Sequence, residues 1–120
     1  MASRLYTVTV DCGVPRELAR FWSAVLDYKV TYDDGDEVAI ETEDEVCPAL
    51  LFLRAPDLKT VKNRIHFDLA PDDQDAEVER ATGLGATRVD IGQHEDKDVT
   101  WVVMADPEGN EFCILTPRQD

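Results

Sequence analysis

The side chains best suited to chemistry lie in two short stretches. In Arg64-Ile65-His66-Phe67-Asp68-Leu69, period-two alternation puts Arg64, His66 and Asp68 on one side of a strand. In Thr7-Val8-Thr9-Val10-Asp11 it does the same for Thr7, Thr9 and Asp11. An imidazole titrates near neutral pH, so His66 suits proton transfer. Asp11 or Asp68 can orient that ring or hold a cation. The bland alternative is a buried histidine between Ile65 and Phe67, satisfied by either carboxylate. Cys113 is a nucleophile if His66 activates it and otherwise a small hydrophobe. Trp101 offers a flat face to a planar or cationic group. His94, in a polar loop, reads as solvated. The motifs GxGxxG, GxxxxGKS/T, HExxH and GxSxG are all missing, which removes support for nucleotide, zinc-protease and serine-hydrolase chemistry.

These residues need a scaffold, and the hydrophobic periodicity predicts one. Tyr6, Val8, Val10 and Cys12 alternate with polar residues in a strand over Leu5–Cys12. Pro15 then opens a helix to Asp27, whose Leu18, Phe21, Trp22, Val25 and Leu26 recur at helical spacing. Strands follow at Tyr28–Tyr32, Glu37–Glu41 and Ala49–Arg54. The second half repeats the order: a strand over Asn63–Leu69, then a helix that opens at Asp72-Asp73 and closes at Gly83–Gly85. Three further strands span Thr87–Ile91, Val99–Met104 and Glu111–Thr116. The spacing from Thr7 to His66 equals that from Val30 to Val89, as an internal repeat requires. Module one covers about 4–55 and module two about 63–117, within one domain over 1–120.

Composition narrows the function. The 120 residues carry a formal charge of −14, which repels phosphate backbones and anionic lipid, so neither nucleic acid nor a membrane surface is an expected partner. Asp33-Asp34-Gly35-Asp36-Glu37, Glu41–Glu45 and Asp72–Asp75 read as solvated turns and a helix start. No membrane-length apolar run or signal segment is present, and the 3 cysteines are widely spaced, which together suggest a reduced, cytoplasmic protein.

The stretches Pro15-Arg16-Glu17-Leu18-Ala19-Arg20-Phe21-Trp22, Val25-Leu26-Asp27-Tyr28, Arg64–Leu69, Leu84-Gly85-Ala86-Thr87 and Asp106-Pro107-Glu108-Gly109-Asn110-Glu111-Phe112 resemble the vicinal oxygen chelate superfamily of glyoxalase and bleomycin-resistance-like proteins. The resemblance covers nearly the whole chain. It implies an α+β fold in which two tandem βαβββ modules form a curved mixed sheet around a cavity. It also implies a divalent metal held by first and last strands, with His or Gln on the former and Glu on the latter. Carried over, those positions are Thr7, His66, Phe52 and Cys113, of which only His66 fits. A histidine and a thiol fall short of the usual three or four protein ligands, so no metal or cofactor is expected.

The resemblance therefore implies a metal-free protein that binds a small molecule, and the acidic charge with Asp11, Asp68 and Trp101 favours a cationic or aromatic one. Its pocket would be lined by Thr7, Thr9, Asp11, Phe52, Arg54, Arg64, His66, Asp68, Trp101 and Cys113. The rival reading is a lyase, isomerase or dioxygenase-like enzyme that uses His66 as acid/base or metal ligand, with Asp68 or Glu111 completing the set after a register slip. A purely structural module is the third. A homodimer is expected in each case.

Overall fold

The computed structural model describes residues 2, 4–44, 47–56, 59–61, 63–89 and 100–117. The chain divides into two compact units, Met1–Lys59 and Thr60–Asp120, and each has the order βαβββ.

In the first unit, β1 (Thr7–Cys12) leads into α1 (Pro15–Leu26), followed by β2 (Lys29–Asp33), β3 (Glu37–Glu41) and β4 (Ala49–Arg54). The sheet order is β1-β4-β3-β2, with β1 parallel to β4 and the other pairs antiparallel. Pro15 sits in the first turn of α1, where its missing N–H is no loss. The helix ends at Asp27, whose φ of 56° is left-handed. Leu18, Ala19, Phe21, Trp22 and Val25 are its buried face and pack toward β3 and β4. Phe21 and Trp22 meet edge to face at 5.2 Å.

The ladders assign the two sides of this sheet. Val10, Phe52 and Val38 stand in one row, with Val8, Leu50 and Ile40 beside it. Phe52 and Ile40 are wholly buried there. Thr7, Thr9 and Asp11 alternate onto the other side, in register with Ala49, Leu51 and Leu53.

The second unit places β5 (Phe67–Leu69), α2 (Gln74–Leu84), β6 (Thr87–Arg88), β7 (Val102–Ala105) and β8 (Glu111–Ile114) in the order β5-β8-β7-β6. Asp73 caps α2 by accepting from the Ala76 N–H at 3.1 Å. Gly85, at φ 120°, ends it. Ala81 is its buried residue among those described. Gln74 ties the helix start to the sheet, its Nε2 donating to the carbonyls of Thr100 and Ile114 at 2.7 and 3.0 Å. Phe67, Phe112 and Met104 form one row, and Asp68, Cys113 and Val103 the adjacent row on the opposite side.

Strand ends differ from the periodicity. Phe67 opens β5, so Asn63 to His66 precede it. Residues 64 and 65 bend with both side chains exposed. Among the described residues β6 pairs with β7 through Thr87 and Arg88, with the Val89 N–H also donating to the Val103 carbonyl at 3.0 Å, and β7 runs from Val102 rather than from 99. Residues 90–99, His94 included, lie outside the described set. No helix among the described residues is long and apolar enough to cross a membrane.

Candidate functional site

The second unit brings three predicted residues together. The parallel β5–β8 register sets Asp68 opposite Cys113. His66, one residue ahead of β5, lies with its Nδ1 3.2 Å from Asp68 Oδ1. One ligand-type atom from each of His66, Asp68 and Cys113 falls within 4.8 Å of the others. Cys113 is buried, whereas the His66 and Asp68 side chains are 46% and 51% exposed, so solvent reaches one edge of the group.

The strand that carries Cys113 is held by the turn before it. Asp106 is 4% exposed. One of its carboxylate oxygens accepts from the backbone N–H groups of Glu108 and Asn110, both at 2.9 Å. Asn110 Nδ2 donates to both oxygens at 3.2 and 3.0 Å. Gly109, at φ 87°, supplies the left-handed step. A buried carboxylate with that many donors is stable only when all are in place, so Asp106 fixes where β8 begins. The sequence marks Asp106 only as a turn residue, because nothing local shows that it is buried. Glu111, on the same side of β8 as Cys113, accepts from the Asn63 N–H through Oε1 at 3.3 Å.

The Asp68–His66 contact has a chemical consequence. An ionised carboxylate beside Nδ1 selects the tautomer with the proton on that nitrogen, leaving Nε2 to accept a proton or bind a ligand. As potential metal ligands, the three side chains offer one nitrogen, one oxygen and one sulfur, the donor types zinc accepts. Asp68 supplies the third donor missing from His66 and Cys113 alone. The family-type divalent ion thus has a fitting donor set within this unit.

The other predicted residues fall elsewhere. Thr7, Thr9 and Asp11 share one side of the first unit's sheet. Phe52 is fully buried in the row with Val10 and Val38, on the opposite side of the sheet from Thr9 and Asp11. The parallel ladders pair Thr9 with Leu51 and Asp68 with Cys113, so Leu51 is the counterpart of Cys113. Parity puts Arg54 in the Cys12 row rather than with Thr9 and Asp11, and it forms an ion pair with Asp36 at 3.3 Å. It lines an open groove of about 630 Å³ with Asp34, Asp36, Glu37 and Leu53. Arg64 lies in the bend before β5, where no ladder fixes it beside His66 and Asp68. Trp101 precedes β7 and is 40% exposed.

Shifted titrations occur away from this group. Backbone N–H donors in the β2–β3 turn, Glu37 foremost, hold the Asp34 carboxyl below its ordinary range. Burial raises the Tyr28 phenol, with the neighbouring Cys47 thiol adding to the shift.

Comparison with known proteins agrees with this architecture. The family model described as a glyoxalase-like domain matches residues 7–115. No curated protein matches the chain. Among solved structures, the chain resembles a glyoxalase/bleomycin resistance protein/dioxygenase family enzyme from Burkholderia phytofirmans PsJN at 17% identity and a TM-score of 0.73, covering 97% of this chain and 100% of that one. The fosfomycin resistance protein FosX from Mesorhizobium loti matches at 16% identity and 0.72, covering 98% and 94%. The oxidase ChaP-H2 matches at 20% identity and 0.68, covering 98% and 96%.

Proposed function

Since the chain belongs to the glyoxalase-like domain family, within the vicinal oxygen chelate superfamily, we propose that it binds a small organic molecule at the His66–Asp68 edge of its second unit. The carrying observation is the convergence of His66, Asp68 and Cys113. A half-exposed His–Asp pair beside a buried thiol places polar anchors next to a buried side chain, as small-molecule sites do. The carboxylate and the net charge of −14 favour a ligand with cationic character.

A thermal-shift screen of small aromatic and cationic compounds, with calorimetry on the leading hit, tests this. His66→Ala and Asp68→Ala should each weaken that hit at least about tenfold, or 1.4 kcal/mol, while far-UV circular dichroism stays unchanged. Full affinity in both variants refutes the site.

The Nδ1–Asp68 contact also favours a second reading, an enzyme in which His66 moves a proton through Nε2. Conversion of a bound compound by the wild type and not by His66→Ala would support it.

A further inference from the structure

Asp34-Gly35 is the one Asp-Gly pair in the 120 residues, and Asn-Gly does not occur. An aspartate before glycine is chemically labile in a flexible chain, because no side chain on the next residue shields its amide nitrogen. That nitrogen attacks the aspartate Cγ: an N–Cγ bond forms, the carboxyl hydroxyl leaves as water with the amide proton, and a five-membered succinimide results. Water then opens the ring at either carbonyl. Opening at the α-carbonyl routes the backbone through the side chain as isoaspartate, with no net change in mass. We propose that Asp34-Gly35 is a modification site gated by the fold, locked against succinimide formation in the native β2–β3 turn and released for isomerisation when that turn opens.

The turn requires the same two residues that make it labile. Gly35 sits at φ 91°, a conformation that a residue with a Cβ rarely adopts. Asp34 serves as an acceptor: its Oδ1 takes the N–H groups of Asp36 and Glu37 at 3.0 and 2.8 Å, and its Oδ2 takes the Tyr32 hydroxyl at 2.9 Å.

Those contacts oppose each requirement of the reaction. The Asp34 carboxyl is aimed at residues 36 and 37, so Cγ reaches the Gly35 nitrogen only by breaking three hydrogen bonds, and a step without its near-attack geometry is slow. The attacking nitrogen is itself engaged. Gly35 N–H donates to Asp33 Oδ1 at 2.9 Å, and Arg16 Nε holds both Asp33 oxygens at 3.0 Å. The acid must also be protonated to leave as water, whereas the Glu37 N–H, with the Tyr32 hydroxyl and the Asp36 N–H, favours the ionised form. Two backbone bonds close the turn further, from Asp34 N–H to the Glu37 carbonyl at 3.1 Å and from Arg54 N–H to the Asp36 carbonyl at 2.9 Å. Isoaspartate lengthens the backbone by one methylene and leaves a carboxylate one carbon shorter, so a chain modified while open does not rebuild these bonds in the same register.

The test incubates the full chain at mildly acidic pH, native and in guanidinium chloride, before digestion. Chromatography with mass spectrometry separates the aspartyl and isoaspartyl forms of the peptide that holds residue 34. Isoaspartate should accumulate at least about tenfold more slowly in the native protein. Asp33→Ala and Tyr32→Phe should each raise the native rate, with far-UV circular dichroism unchanged. Asp34→Asn separates geometry from charge, because the same attack then expels ammonia, needs no protonated carboxyl and leaves a mass shift. Its reaction too should be at least about tenfold slower in the native chain than in guanidinium chloride. Equal wild-type rates in the two conditions, protection that is lost in Asp34→Asn, or a native rate that neither Asp33→Ala nor Tyr32→Phe raises, overturns the proposal.

Discussion

Replacing Phe52 with Ala tests the strand register that decides which residues can reach a ligand. Phe52 is fully buried, flanked across the ladders by Val10 and Val38. Truncation removes a ring from a core with no solvent to refill it, and such Phe→Ala changes cost about 3–5 kcal/mol. Against a domain stability of about 5–15 kcal/mol, that is a large share. Phe52→Leu keeps most of the volume and should cost less than about 1.5 kcal/mol. Leu51→Ala, on the opposite side and half-buried, should fall well below Phe52→Ala. Urea denaturation at neutral pH, fitted with a common slope, ranks the three. Phe52→Ala should leave the affinity of a screened compound unchanged at temperatures where the fold persists. If it unfolds the chain outright, Phe52→Leu carries the binding measurement. A Phe52→Ala cost below about 1 kcal/mol, or a Phe52→Leu protein of normal stability that loses binding, would refute the register and return Phe52 to the ligand surface.

Two further outcomes follow from named contacts. Asp106→Ala removes a buried acceptor from two backbone N–H groups and the Asn110 amide of a half-exposed turn. It should cost about 2–4 kcal/mol by urea denaturation and speed alkylation of Cys113 by loosening β8, whereas unchanged stability would show that the turn holds without it. The Arg80 guanidinium donates to Glu77 at 2.6 and 3.0 Å and, outweighing partial burial, holds that carboxyl below its ordinary range. The pair's contribution, about 0.2–0.5 kcal/mol for a helix pair, is fully present above the unfolded carboxylate pKa near 4.3 and is lost as pH falls through the lowered value. Glu77→Gln should therefore be less stable than wild type at pH 6 and equal to it near pH 2, and a constant difference across that window would exclude the linkage.

What the sequence discloses here depends on whether a strand's two sides differ in polarity. In β1 they do: Thr7, Thr9 and Asp11 alternate with Val8, Val10 and Cys12, and the ladder keeps those sets apart. Helix α1 is legible for the same reason, since Leu18, Phe21, Trp22 and Val25 mark one buried face. Along Ala49-Leu50-Leu51-Phe52-Leu53 both sides are apolar, so a one-residue slip leaves no trace in the pattern. Matching Phe52 to Cys113 is such a slip, and the pairing of Thr9 with Leu51 removes it. The site is less legible for a different reason. Asp68 and Cys113 meet only because β5 runs parallel to β8, a pairing between distant segments that no local periodicity encodes. His66 adds a second obstacle, because it sits just outside β5, where its approach to Asp68 comes from the turn into the strand rather than from alternation. Sequence alone therefore sets His66 beside Asp68 by alternation and offers Cys113 as a partner for His66, but not the register that puts Cys113 opposite Asp68. Only the β5–β8 pairing turns a histidine and a thiol, one donor short of a usual metal site, into a three-donor set.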